Sequence, residues 1–226
     1  MQAPGTILPP RDEGELLGRI WALAGRSLAE VAGARGEPVP ADLRRDKGWM
    51  GALLERSLGA SAGSRSEPDF PTLGVEMKTV PVGQDARPQQ TTYVCTAPLD
   101  GTLARRWSDA WAQRKLRRVL WVPVVGEGGC PPGDRRVGAP LLWSPSPDED
   151  RQLQQDYGEI ADAIHAGRLD RLDARMGRWL HLRPKAASSR DLVDILNADG
   201  EWVQTGPRGL YLRKDFTAQL LARHFG

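Results

Sequence analysis

PDFPTLGVEMKTV, residues 68–80, reads as a turn feeding a strand that runs from about Gly74 to Pro81. Side chains alternate along a strand, so Glu76 and Lys78 share one face while Val75 and Met77 take the other, toward a core. Asp69 stands just before the strand, where a turn brings its carboxylate alongside Glu76. Two carboxylates at one strand offer hard oxygen donors to a divalent cation. A neighbouring lysine can orient or deprotonate a water, or stabilise charge on a phosphate. These are the parts that phosphodiester hydrolysis requires. Asp followed by Glu-x-Lys is a loose text pattern, since Glu/Lys faces are common on half-exposed strands. The clear apolar face opposite Glu76 and Lys78 makes it more specific.

Upstream, Asp12 and Glu15 have the spacing of a capping box before an apolar helical face of Leu16, Leu17, Ile20, Trp21 and Leu23. Ser27 and Glu30 repeat that signal before a short second helix. A third helix is expected from Asp46 to Gly59, carrying Glu55 toward the strand as a third carboxylate. Gly59 to Pro68 reads as a flexible small-residue loop.

Downstream, Thr91 to Ala97 is expected to be the partner strand of residues 74–81, and Arg106 to Leu116 a helix with Trp107 and Trp111 four apart. Lys115 follows these tryptophans and is a further cation for the site. Val119 to Val125 is apolar throughout, as a central strand is. Further expectations are a short strand at Leu141–Trp143, a helix capped by Ser146 and Glu149 and ending near Gly167, and a strand at Arg178–Leu182. Ser189–Leu196 reads as a helix, Glu201–Lys214 as a hairpin turned at Gly206-Pro207, and Asp215 as the cap of a last amphipathic helix. The whole is α/β with mixed strand order. It is expected to form a single domain over residues 1–226, with an N-terminal lobe over roughly 1–125 and a C-terminal lobe over roughly 126–226, around a cleft.

The chain has 226 residues, 27% of them charged, and a formal net charge of +2, so no whole-surface basic field is implied. No apolar run is long enough to span a membrane. The N-terminus lacks the basic head and apolar stretch of a signal peptide. Cys95 and Cys130 have no metal-ligand spacing and read as reduced thiols in the cytoplasm. Of the 31 basic residues only five are lysines, at 47, 78, 115, 185 and 214. A compact ammonium differs from a guanidinium where one oxygen or one water must be held, which singles those positions out.

RDKGWMGALLE (45–55), GASAGS (59–64), PDF and LGVEMKT (68–79) resemble the MutH family of DNA mismatch-repair endonucleases. So do RKLRRVLWVPV (114–124), RRVGAPLLWSPSPDEDRQL (135–153), LRPKAA (182–187), PRGLYLRKDFT (207–217) and LLARHF (220–225). More distantly the chain looks like GATC-cutting restriction endonucleases and the PD-(D/E)xK nuclease fold. The resemblance implies a restriction-endonuclease-like mixed sheet flanked by helices, with two lobes around a DNA-binding cleft. It implies nicking of the unmethylated strand of hemimethylated GATC, 5′ to the G, by a monomer that takes Mg²⁺, with Mn²⁺ able to substitute. It also implies activation by the repair ATPase MutL, and through it a link to MutS.

The resemblance transfers catalytic roles onto Glu55, Asp69, Glu76, Lys78 and Lys115, with Asp69, Glu76 and Glu55 as metal ligands. DNA-binding roles transfer onto Lys47, Arg183, Pro184, Lys185 and Tyr211, and Lys214 adjoins the Tyr211 strand. Segments 100–111 and 126–134 depart from the family pattern, and Tyr93 stands where the family can have Phe.

Each assignment has a plainer counterpart. Arg183 could read guanine bidentately or be a surface arginine. Tyr211 could sense an adenine methyl or be an ordinary hairpin tyrosine. Lys47 and Lys185 could position phosphates or be solvated. Two other functions stay open: a GATC restriction endonuclease cutting both strands, and a non-catalytic DNA-binding module that senses methylation.

Overall fold

The computed structural model describes residues 7–63, 67–168, 176–185 and 192–225. They fold into two compact units, each assembled from non-consecutive stretches. Unit 1 takes Met1–Gln90 and Arg118–Ser144; unit 2 takes Thr91–Arg117 and Pro145–Gly226.

Unit 1 opens with three helices, α1 (Glu13–Trp21), α2 (Leu28–Ala34) and α3 (Trp49–Leu58). Asp12 caps α1 by accepting from the Glu15 N–H at 2.8 Å, but the Glu15 carboxylate reaches back to the Arg11 N–H rather than to that of Asp12. Ser27 and Glu30 form a complete capping box on α2. Apolar stripes of α1 to α3 (Leu16, Ile20, Leu28, Val31, Leu53, Leu54, Leu58) share a core with Met77, Leu120, Val122 and Val124 of the sheet. Each such side chain contributes roughly 1.5–3 kcal/mol by leaving water.

The sheet of unit 1 is built on β3 (Val119–Val125). β1 (Glu76–Val82) runs parallel along one edge of β3, with Glu76 opposite Val119 and Val82 opposite Val125. β4 (Arg136–Val137) and β5 (Leu141–Trp143) pair antiparallel along the other edge. The central position expected of 119–125 is therefore observed.

The expected partner of β1 is not. β2 (Thr92–Ala97) lies in unit 2 and pairs antiparallel with β9 (Arg208–Leu212). The physical reason is burial. Val80, Pro81 and Val82 are all buried, as in a strand covered on both faces, whereas β2 keeps Tyr93 and Thr96 exposed, as in an antiparallel sheet with one open face. A parallel pair also needs a long crossover. Here it is supplied by the residues that leave unit 1 at 90 and return at 118.

Unit 2 holds a three-stranded antiparallel sheet, in the order β2, β9, β6 (Leu180–Pro184), and a separate pair, β7 (Val193–Leu196) with β8 (Trp202–Thr205). Three expectations are corrected here. Residues 193–196 are strand, not helix; Ser189 to Asp191 lie outside the described residues. Residues 201–214 are not one hairpin, because β8 pairs with β7 and β9 pairs with β2 and β6, so Gly206-Pro207 links two sheets. The helix expected over 106–116 is broken at Ala110, whose extended backbone (ψ 137) separates a 3-10 turn at Trp107–Asp109 from α4 (Trp111–Leu116). Trp107 is drawn off by Asp150, to which its indole N–H donates at 2.8 Å.

The long helix α5 (Pro147–His165) starts with the expected Ser146/Glu149 capping box. Its buried Asp156 accepts from the N–H groups of Arg178, Trp179 and Leu180 at 2.9, 2.6 and 2.8 Å, tying α5 to the start of β6. The last helix, α6 (Lys214–Phe225), has Asp215 in its first turn. The fold is mixed α/β, with mixed sheets flanked by helices. No described helix is long and apolar enough to cross a membrane.

Candidate active site

The turn at PTLG sets the acidic end of β1. Phe70 and Val75 exchange backbone hydrogen bonds (2.9 and 3.3 Å), closing a tight loop in which Gly74 takes φ 64. Left-handed backbone of this kind favours glycine. The loop returns the chain so that Asp69 lies beside the strand, with its Oδ2 accepting from the Met77 N–H at 2.8 Å. The Glu76 N–H points the other way, to the Arg118 carbonyl at the start of β3 (3.0 Å). Asp69 thus caps the edge of β1 that β3 does not use.

Glu76 and Lys78 share a face, as their spacing requires, and the Lys78 ammonium donates to Glu76 Oε1 at 2.7 Å. Both are largely enclosed: the side chains keep 3% and 12% of their accessible surface. Desolvation strengthens this charge-assisted contact. Met77 faces the helices of the core. Thr79, two residues on, faces the same way. A Cβ placed on Gly51 of α3 would lie 3.5 Å from Thr79 Oγ1 and 3.6 Å from Glu55 Oε1. Glu55 therefore lies on the face of α3 that meets β1. Among the described residues no three His, Cys, Asp or Glu side chains gather to hold a metal. Asp69 and Glu76 suit Mg²⁺ nonetheless, because that ion is usually held by one or two carboxylates and completes its shell with waters and substrate phosphate oxygens.

Glu55, Asp69, Glu76 and Lys78 all belong to unit 1; Lys115 belongs to unit 2. Lys115 is on the last turn of α4, with its ammonium 5.4 Å from the centre of the Trp111 ring. Lys47 is exposed on the loop before α3 and lines an open cavity of about 920 Å³ in unit 1 together with Asp42, Arg44, Gln89 and Arg135.

Arg183, Lys185 and Tyr211 come together in unit 2, on the open face of the β2-β9-β6 sheet, while Pro184, between the two cations on β6, takes the other side of the strand. A bulge in β2 puts Val94 between the residues paired with Tyr211 and Leu210. That extra residue lets Tyr93 and Thr96, three apart, face the same way. Tyr93 and Tyr211 sit opposite one another with ring centres 5.2 Å apart and edge-on. Beneath them Gly209 leaves the rings their room, because a Cβ there would come within 2.9 Å of the Tyr93 ring and 3.1 Å of the Tyr211 ring and force them to shift. Arg183 lies over Tyr211 (5.8 Å) and Lys185 over Tyr93 (5.6 Å). Burial, and then the neighbouring Tyr93, push the Tyr211 phenol above its ordinary pKa of 10.0, against the opposing pull of Arg183. Lys214 is exposed at the start of α6.

The sequence reading did not assign Thr91, Tyr93 or Thr96 to this face. Their signal was present in the exposed alternation of TTYVCT, but the bulge that aligns Tyr93 with Thr96 breaks the period of two.

The sequence model for "DNA mismatch repair enzyme MutH" matches residues 58–156, which contain β1, β3 and the Asp69 turn. Proteins described as DNA mismatch repair protein MutH are similar over nearly the full length. The one from Klebsiella pneumoniae (strain 342) is 54% identical over 217 residues, covering 96% of this chain and 94% of its own. The one from Enterobacter sp. (strain 638) is 52% identical with the same coverage, and that from Escherichia coli O6:K15:H31 (strain 536 / UPEC) is 51% identical over 226 residues, 100% of this chain and 99% of its own. With identity above half across both units, this chain belongs to the MutH family of DNA mismatch repair enzymes.

Proposed function

We propose that this protein is a metal-dependent DNA endonuclease of mismatch repair that nicks the unmethylated strand of hemimethylated GATC sites, 5′ to the G, when activated by MutL. The observation that carries the reading is the β1 cluster. Asp69 is locked to the strand by the Met77 amide, and Lys78 is held against Glu76, inside a chain of this family. A pure DNA reader has no use for that cluster.

Asp69 and Glu76 would hold the metal, Mg²⁺ or in its place Mn²⁺, with Glu55 contributing from α3. The metal, when bound, supplies Lewis acidity to the phosphate and lowers the pKa of a water. Lys78 would orient that water through Nζ, or take up its proton there once its own has been lost to solvent. Enclosure of Glu76 and Lys78 excludes competing solvent. By the family resemblance Lys115, on unit 2, is assigned as a further cation for the phosphate.

Unit 2 supplies reading. The guanidinium of Arg183 suits the O6/N7 edge of guanine. Tyr211 would meet the adenine edge, where an N6-methyl changes the fit by about 1–3 kcal/mol. Pro184 adds an apolar contact beside Arg183. Lys47, Lys185 and Lys214 contact phosphates and set register rather than sequence. The catalytic and reading lobes of the proposal are thus units 1 and 2. The protein works as a monomer on duplex DNA, with no membrane. Neither Cys95 nor Cys130 is in a disulfide, which supports a reducing, cytoplasmic setting.

The test is a short duplex with one hemimethylated GATC, its strands labelled differently, incubated with Mg²⁺ with and without MutL. Cutting confined to the unmethylated strand, 5′ to the G and stimulated by MutL, is the expected result. Equal cutting of both strands of unmethylated DNA without MutL would identify a restriction enzyme instead. Binding without cutting in any divalent ion would identify a reader.

A further inference from the structure

Four side chains on the open face of the β2-β9-β6 sheet form one continuous run: the ammonium of Lys185, the Tyr93 ring, the Tyr211 ring and the guanidinium of Arg183. Each end of the run is tied to a threonine. Arg183 Nη1 donates to Thr91 Oγ1 at 2.8 Å, and Lys185 Nζ donates to Thr96 Oγ1 at 3.1 Å. Thr96 Oγ1 also shares a 2.8 Å hydrogen bond with the Tyr93 hydroxyl, so one oxygen fixes both the ammonium and the ring it covers. The two rings rest on Gly209, which leaves them no room to sink.

A long arginine or lysine loses rotamer freedom on meeting DNA, and side chains already held in place lose less. We propose that Thr91 and Thr96 are positioning residues that hold Arg183 and Lys185 at the two ends of the tyrosine pair, so that the reading face is set before DNA arrives. The proposal rests on the reading of this face as the DNA-binding one.

The two threonines act through cations of different duty, so their loss reads out differently. Thr91→Val loosens the base-reading Arg183. It is expected to reduce the ratio of kcat/KM at GATC to that at sites with one base changed by about threefold to tenfold, the scale of one hydrogen bond. Thr96→Val loosens the phosphate-contacting Lys185. It is expected to weaken binding to all sequences alike by a similar factor, with the salt slope unchanged because the charge is retained. Lys185→Ala, in contrast, lowers that slope by about 1. Serine at either position keeps the hydroxyl and restores wild-type behaviour.

The experiment measures cleavage and salt-dependent binding for Thr91→Val, Thr91→Ser, Thr96→Val and Thr96→Ser, beside Arg183→Ala and Lys185→Ala. Thr→Ala replaces any valine variant that fails to fold. Valine variants that match wild type while Arg183→Ala and Lys185→Ala are impaired would overturn the positioning role and leave the reading face standing. Serine variants as impaired as valine would also overturn it, since packing alone would then explain the effect. If Arg183→Ala and Lys185→Ala themselves leave cutting and binding unchanged, the reading face falls.

Discussion

Lys78 spends its one described hydrogen bond on the carboxylate two residues back along β1, so the two side chains operate as a unit. Replacing Lys78 with Ala is expected to lower the cleavage rate about 10²- to 10⁴-fold, the range for loss of a positioned proton-transfer group. Binding to a GATC duplex should survive, as measured by a gel shift in Ca²⁺. Loss of binding in proportion to loss of cutting would refute the catalytic assignment. A second residue-scale prediction concerns Gly209. Adding one methyl there drives the Tyr93 and Tyr211 rings apart, and Gly209→Ala is expected to cost about 1–3 kcal/mol in a denaturant titration, with GATC cutting reduced. Glu76, Lys78 and Asp69 were legible because a strand's period of two, together with a turn residue at Gly74, fixes where they point. The threonine ties were not legible, because they depend on a bulge and on which strands become neighbours.

The capping signals at Ser27 and Ser146 translate directly into helix starts, since a capping box is a local contract between residues three apart. Strand partners are set by distant residues, and there the reading failed for Thr91–Ala97 and for the hairpin expected over 201–214. Asp156 went unnoticed for the same reason: its three backbone partners are 22 to 24 residues away. Asp156→Ala leaves those amides unpaired in a buried place and is expected to cost about 3 kcal/mol, visible as a lower midpoint in urea. α5 is also joined to α6 by an ion pair between Glu149 and Arg223. Burial pushes the Glu149 carboxyl up, but Arg223 and the Ser146 N–H outweigh it and hold the group below its ordinary value of 4.5. A carboxyl depressed on folding stabilises fully above that value and loses its contribution as pH falls through the lowered one. The melting temperature should therefore drop below about pH 4.5, and Glu149→Gln should lower the neutral-pH plateau while flattening that drop. An unchanged plateau and acid slope in Glu149→Gln would remove this pair from the account.

The chain passes between its two units three times, after residues 90, 117 and 144. Composition hinted at none of this, since the net charge is only +2 and the charged share is 27%. Dividing the chain near residue 125 would separate β2 from β6 and β9, and would take β4 and β5 from β3. Fragments 1–125 and 126–226 are each expected to lack a cooperative thermal transition in circular dichroism when expressed alone. Two sharp independent transitions would contradict the interleaving. The same threading imposes an order on synthesis. Strand β1 can close against β3 and its companions once residue 144 is available, but the sheet bearing Arg183 and Tyr211 waits for β9 to finish at residue 212. At ribosomal speeds that delay is roughly 3–14 s. On the proposed division of labour, a nascent chain would own its hydrolytic strand before its reading face, and a messenger cut short between those two points would yield a product without the sheet proposed to read GATC.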